Sequence, residues 1–167
     1  VQHPTRLVDE YYGSMYNTYA VSFILYNGKL FTAGGYDTAS QYGQLGNNGT
    51  TARATFAEVV IPGKTFTSIA VCDYYGGSVA AIMNDGTLWT WGRNNQGQLG
   101  NGTASNTVTP GYAGLQNIVK VLGVDNAYCF FAALDSTGEL YVSGYNGHGQ
   151  KGIGTTAQNN NFSKVIK

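Results

Sequence analysis

Three stretches of this chain share one hydrophobic pattern. Each is a short run of β-branched, aromatic or small residues, a turn closed by glycine, and a second such run ending on another glycine. They read FILYNGKLFTAG at 23–34, AIMNDGTLWTWG at 81–92 and AALDSTGELYVSG at 132–144. No amphipathic helical period appears in any of them, so each is a β-hairpin. Asn27-Gly28 and Asp85-Gly86 fit two-residue turns in which both central positions need φ > 0, and Asp135 to Gly138 fits a turn one residue longer that closes on a glycine bulge. Leu88-Trp89-Thr90-Trp91 and Leu140-Tyr141-Val142-Ser143 carry apolar residues on both faces, which suits sheets buried between neighbouring sheets.

The hairpins are copies of one unit. The turn glycines Gly28, Gly86 and Gly138 and the closing glycines Gly34, Gly92 and Gly144 keep a common period of about 50 residues, in the range of propeller blades. A glycine-rich loop follows each hairpin: YGQLGNNGT at 42–50, QGQLGNGT at 96–103 and HGQKGIGT at 148–155. Gln44 and Gln98 are placed there to bond loop backbone groups that no ladder satisfies.

The run WGRNNQGQLGNGT at 91–103 resembles the repeat of the regulator-of-chromosome-condensation family almost residue for residue, and the resemblance extends over nearly the whole chain. It implies an all-β chain of about three four-stranded antiparallel β-propeller blades forming an incomplete propeller, a single domain over 1–167. Two departures stand out. The first repeat carries four extra residues around Tyr36 to Gln41, and the third has Lys151 where Leu45 and Leu99 stand, so one apolar anchor is missing or turned outward.

Residues 162–167 align with 56–61, read as the opening strand of a blade, so the two ends of the chain read as complementary parts of one blade. Three blades cannot close a ring that needs about four to eight. Left open, the outer blades would expose edges and apolar faces. The chain is then expected to be a piece of a longer propeller, the reading favoured by its start at Val1, or to associate with copies of itself or other chains.

Composition narrows the function. Nine basic residues balance nine acidic ones and only 11% of residues are charged, which gives no footprint for nucleic acid. No apolar run is long enough to span a bilayer. No cofactor or metal is implied, because His3 and His148 lack partners at ligand spacing and suit surface loops. Phosphate-loop and nucleophile-elbow patterns are absent, so the chain is not expected to be an enzyme. Cys72 and Cys129 are too few for a disulfide framework and read as small buried apolar residues. Acceptor-like triplets stand at Asn48, Asn101 and Asn161; the first two fall inside the repeat signature and read as its turn residues.

Thirteen tyrosines are the main functional signal, since the residue combines a large ring with a hydrogen-bonding tip. Tyr11, Tyr12, Tyr16, Tyr74 and Tyr75 flank the first strands of two repeats, and Tyr36 sits in the inserted loop; these are the candidate binding residues. Members of the resembled family include an exchange factor for a small GTPase, chromatin binders and a secreted enzyme inhibitor, and similar repeats occur in virion proteins. The low-charge Asn/Thr/Gly/Tyr-rich surface points first to a virion (tail, fibre or decoration) or extracellular adhesion module that contacts protein or surface glycan. The alternative is a regulatory or inhibitory propeller acting on a soluble enzyme or small GTPase.

Overall fold

The computed structural model describes residues 10–13, 21–35, 42–72, 77–124 and 129–165. They form three four-stranded antiparallel sheets, each a meander in chain order. The first holds β1 (Glu10–Gly13), β2 (Val21–Tyr26), β3 (Lys29–Gly34) and β4 (Arg53–Val59). The second holds β5 (Phe66–Cys72), β6 (Ser78–Met83), β7 (Leu88–Gly92) and β8 (Thr107–Tyr112). The third holds β9 (Ile118–Val124), β10 (Phe130–Asp135), β11 (Leu140–Gly144) and β12 (Ser163–Lys164). The chain is all-β, in three blades.

Blade order explains the hydrophobic pattern. Along β6 every residue is buried. Val79, Ala81 and Met83 face a core shared with the first blade, which includes Phe23, Leu30, Leu45 and Trp91. Ala80 and Ile82 face a second core, with Ile118, Val121 and Phe131 of the third blade. A strand buried on both faces cannot alternate, whereas β2 buries only Val21, Phe23 and Leu25 and does alternate. Burial of a ring such as Phe23 or Phe131 contributes about 1.5–3 kcal/mol.

Two local expectations change. In the first blade Asn27 (φ 48) and Gly28 (φ 74) form the two-residue turn. In the second, Met83 N donates to Thr87 O and Gly86 N to Met83 O, and Gly86 takes the positive φ while Asp85 does not. That is a three-residue loop closing on a glycine bulge, the same length as Asp135 to Glu139, where Asp135 N donates to Glu139 O. Asp85 bends the turn with its carboxylate: Oδ1 accepts from Thr87 N at 3.2 Å and Thr87 Oγ1 at 2.7 Å. The segment read as opening a blade closes one instead. Phe56 lies on β4 and Ser163 on β12, each the fourth strand of its sheet.

Candidate recognition surface at the blade ends

The glycine-rich loops stand on buried side-chain anchors that repeat between blades. Asn94 is fully buried; its Oδ1 accepts from Leu99 N at 2.9 Å and its Nδ2 donates to the carbonyls of Thr103 (2.9 Å) and Ser105 (3.1 Å). Asn146 does the same in the third blade, accepting from Lys151 N at 3.0 Å and donating to Thr155 O (2.8 Å) and Ala157 O (3.1 Å). Gln98 Oε1 accepts from Gln96 N at 2.8 Å, as expected, and Gln150 Oε1 from His148 N at 2.9 Å. One amide thus satisfies several loop groups that have no ladder partner. Asn101 is a turn residue, its Oδ1 accepting from Thr103 N at 3.1 Å.

The first two loops are each bolted to their own blade and to the next. Thr32 Oγ1 donates to Leu45 O at 2.9 Å and Thr90 Oγ1 to Leu99 O at 2.8 Å, within one blade. Between blades, Trp91 Nε1 donates to Gln44 O at 3.0 Å and Ser143 Oγ to Gln98 O at 2.6 Å. The third blade departs at two positions together, with Val142 in place of the threonine and Lys151 in place of the leucine. Lys151 is neither missing from the packing nor turned outward. It is buried, and its Nζ donates to Asn159 Oδ1 at 2.9 Å and Asn161 O at 3.4 Å. Its hydrocarbon stem occupies the leucine's place while two amides receive the ammonium. Burial pulls its pKa below the usual lysine value.

These anchors fix one end of the blades. There β2, β6 and β10 begin, opposite the closing glycines Gly34, Gly92 and Gly144. The Arg93 guanidinium of the second blade lies over the Tyr42 ring of the first, 5.4 Å from its centroid. Arg93 N is held by Gly77 O at 3.1 Å, and Ser78 Oγ donates to Arg93 O at 2.8 Å. In the third blade the Tyr145 and His148 rings meet edge-on at 5.9 Å, with His148 exposed. Of the candidate tyrosines, Tyr11 and Tyr12 lie on β1, opposite Ile24 and Phe23. Tyr16, Tyr36, Tyr74 and Tyr75 lie outside the described residues, as does His3. Tyr42, Arg93 and Tyr145 were not singled out from sequence, although Arg93 and Tyr145 each directly follow a closing glycine.

The opposite end is polar and locally satisfied. Lys64 pairs with Asp85, and this hydrogen bond, then that from Thr87, lowers the Asp85 pKa to about 2. The Thr137 hydroxyl, followed by the Glu139 amide, lowers that of Asp135. Lys164 and Glu139 pair at 3.0 Å, which raises the lysine's pKa. A shallow cleft of about 440 Å³ between the first two blades is lined by Arg53, Glu58, Trp89 and Pro110; Glu58 there is already paired with Lys29 at 3.2 Å.

The cysteines depart from expectation. Cys72, the last residue of β5, and Cys129, just before β10, are joined in a disulfide across the second and third blades, with Cα atoms 5.7 Å apart. Packing of β5 against β9 brings the two together. Among the described residues no group of three His, Cys, Asp or Glu stands at metal-binding distance, and no helix is long and apolar enough to cross a membrane.

Comparison with known proteins agrees with this architecture. Residues 85–124 match the model of the regulator of chromosome condensation (RCC1) repeat. That span runs from the β6–β7 turn to the end of β9, so the family's repeat is offset from the blade. The chain is 28% identical to the ultraviolet-B receptor UVR8 of Arabidopsis thaliana over 148 residues, 86% of this chain and 31% of the receptor. It is 40% identical to human protein RCC2 over 86 residues, 47% of this chain and 16% of RCC2. It therefore spans less than a third of these relatives. In three dimensions it superposes on Prp20p of Saccharomyces cerevisiae with a TM-score of 0.71 at 16% identity, covering 97% of this chain and 39% of Prp20p. The three sheets are blades of the RCC1 propeller type.

Proposed function

We propose that this chain supplies blades to a protein-binding regulatory propeller and engages its partner through the blade ends that carry the glycine-rich loops. The observation that carries this reading is the Arg93–Tyr42 stack, which sets a cation and an aromatic ring from adjacent blades side by side at that end. Arginine and tyrosine are the residues over-represented at protein interface hot spots. β1, which carries Tyr11 and Tyr12, ends at this edge, as do β3 and β5, and β2 and β6 begin there. Tyr11, Tyr12 and, by their places in the sequence between these strands or after β3, Tyr16, Tyr36, Tyr74 and Tyr75 are therefore the next candidates.

The relatives support a regulator over a virion or adhesion module. Prp20p is described by its binding to Gsp1p and histones, and yeast RCC1 (Prp20) has been seen bound to Kap60. Protein partners of that kind are the ones proposed here. Both of these structures are described by protein partners, and the balanced charge argues against direct binding of nucleic acid. The role is recognition, with no catalysis assigned to the chain.

The test is reconstitution of the full-length protein with a purified partner recovered from its source cells. A stoichiometric complex weakened about tenfold or more by Arg93→Ala or Tyr42→Ala, with unfolding unchanged, supports the reading. Retention on immobilised glycan, indifferent to both substitutions, would restore the adhesion alternative.

A further inference from the structure

We propose that Cys72 and Cys129 form a reversible thiol–disulfide site that staples the second blade to the third. Both residues are buried, at 0% and 3% exposure. They close the edge of the joint between β5 and β9, beside the place where Gly123 of β9 approaches so near the Val71 carbonyl that an added Cβ would lie 2.5 Å from it. Cys72 pairs with Ser78 across β5–β6, and the residue after Cys129, Phe130, pairs with Val124 across β9–β10. The bond therefore ties the ends of two separate ladders.

The surroundings of Cys72 also suit a reduced sulfur. The Val124 carbonyl oxygen lies 3.0 Å from Cys72 Sγ and that of Phe130 3.7 Å away. A thiol formed at Cys72 has an acceptor in place, so reduction does not orphan that donor. The reductant is a dithiol. One of its thiolates attacks a cysteine sulfur and forms a mixed disulfide, and its second thiol then displaces the chain. Two electrons and two protons pass to Cys72 and Cys129, and the reductant leaves as a disulfide. Burial makes opening of the joint the gate for this exchange.

The experiment compares the full chain after oxidation by a small disulfide and after dithiothreitol. Alkylation and intact mass in denaturant should find no free thiol in the first and two in the second. Hydrogen exchange at Cys72, Val124 and Phe130 should quicken about tenfold or more on reduction, and return on reoxidation. The Cys72→Ser, Cys129→Ser double variant should exchange like the reduced protein, with no response to dithiothreitol. Two free thiols after oxidation would overturn the site. A bond whose reduction leaves those amides unchanged would overturn its role as a staple, and the wild-type comparison decides this even if the variant fails to fold.

Discussion

Trp91 of the second blade donates its indole N–H to the Gln44 carbonyl of the first, 3.0 Å away, and both residues are buried. The hydrogen bond repeats one blade on, from Ser143 to Gln98. A strand residue just before the closing glycine thus latches each glycine-rich loop of the blade before it.

Trp91→Phe keeps an aromatic ring but removes the donor and leaves the Gln44 carbonyl buried without it. Such an orphan costs about 1–3 kcal/mol, with a further loss for the smaller ring. Urea unfolding should show the midpoint falling while the slope stays constant. Trp91→Ala should cost more, about 3–5 kcal/mol, because it also opens a cavity between blades. Equal stability for wild type and Trp91→Phe would mean that the latch carries no energy.

Gly100 and Gly63 separate backbone strain from steric contact. Both have positive φ, +63 and +73. A Cβ on Gly100 would lie 2.2 Å from the Phe162 ring, whereas one on Gly63 would meet nothing within 4 Å. Gly63→Ala should cost about 1 kcal/mol, the left-handed penalty alone. Gly100→Ala should add about 1–3 kcal/mol for displacing Phe162 from the loop it covers. Thermal unfolding of the two variants measures the difference directly, and equal losses would show that Phe162 moves aside freely.

The hairpins, the repeat and the doubly buried strand were legible because their causes are local. Asn27-Gly28 favours its turn whatever surrounds it, and Leu88-Trp89-Thr90-Trp91, read as apolar on both faces, is buried on both in β7; the full burial of SVAAIM in β6 was not singled out. The phase of the repeat was not legible, since periodicity is the same wherever counting starts; Phe56 was therefore placed on an opening strand although β4 closes its sheet. The Cys72–Cys129 bond was hidden for a related reason. The residues are 57 apart, close to one repeat, yet occupy different places in their blades, one ending β5 and one preceding β10. Lys151 was noticed as an exception, but its acceptors lie on Asn159 and Asn161, residues outside the repeat signature. The Arg93–Tyr42 stack joins two blades and has no signal within either repeat.

Asp85 should govern part of the acid limb of stability. Its pKa in the folded chain is lowered from 3.8 to about 2, chiefly by Lys64 and then by Thr87. Above pH ~4 both states are ionised and the stabilising contribution is fully present; as pH falls towards about 2 the unfolded chain takes up the proton first and the contribution disappears. Asp85→Asn removes the ion pair, so the variant should unfold at a lower temperature at neutral pH and lose less on acidification. Thermal midpoints between pH 5 and 2 would show the two proteins converging. Parallel curves would assign the acid response to other carboxylates.

Lys151 should act on the opposite limb. Burial lowers its folded pKa below the 10.5 of the unfolded chain, so below the folded value both states are protonated and the folded state bears the desolvation of an ammonium held, among the described residues, by neutral acceptors. Between the folded value and 10.5 the unfolded chain binds more protons, and stability rises with pH. Lys151→Met keeps the stem volume and removes the charge, while Asn159 Oδ1 retains Asn161 N at 3.3 Å and Ser163 Oγ at 3.2 Å. The variant should therefore match or exceed wild type at neutral pH, since replacing a buried charge with an apolar side chain of similar volume is often neutral or stabilising by about 1–4 kcal/mol. Its advantage should shrink at alkaline pH as wild-type Lys151 sheds its proton. Lys151→Ala separates this from simple packing: it removes the charge as Met does but also the stem, and should be less stable than Lys151→Met by about 2 kcal/mol or more at every pH, the cost of the cavity. If Lys151→Met proves less stable than wild type at neutral pH, the ammonium is a net anchor for the 159–161 segment and the bonds to Asn159 and Asn161 outweigh its desolvation.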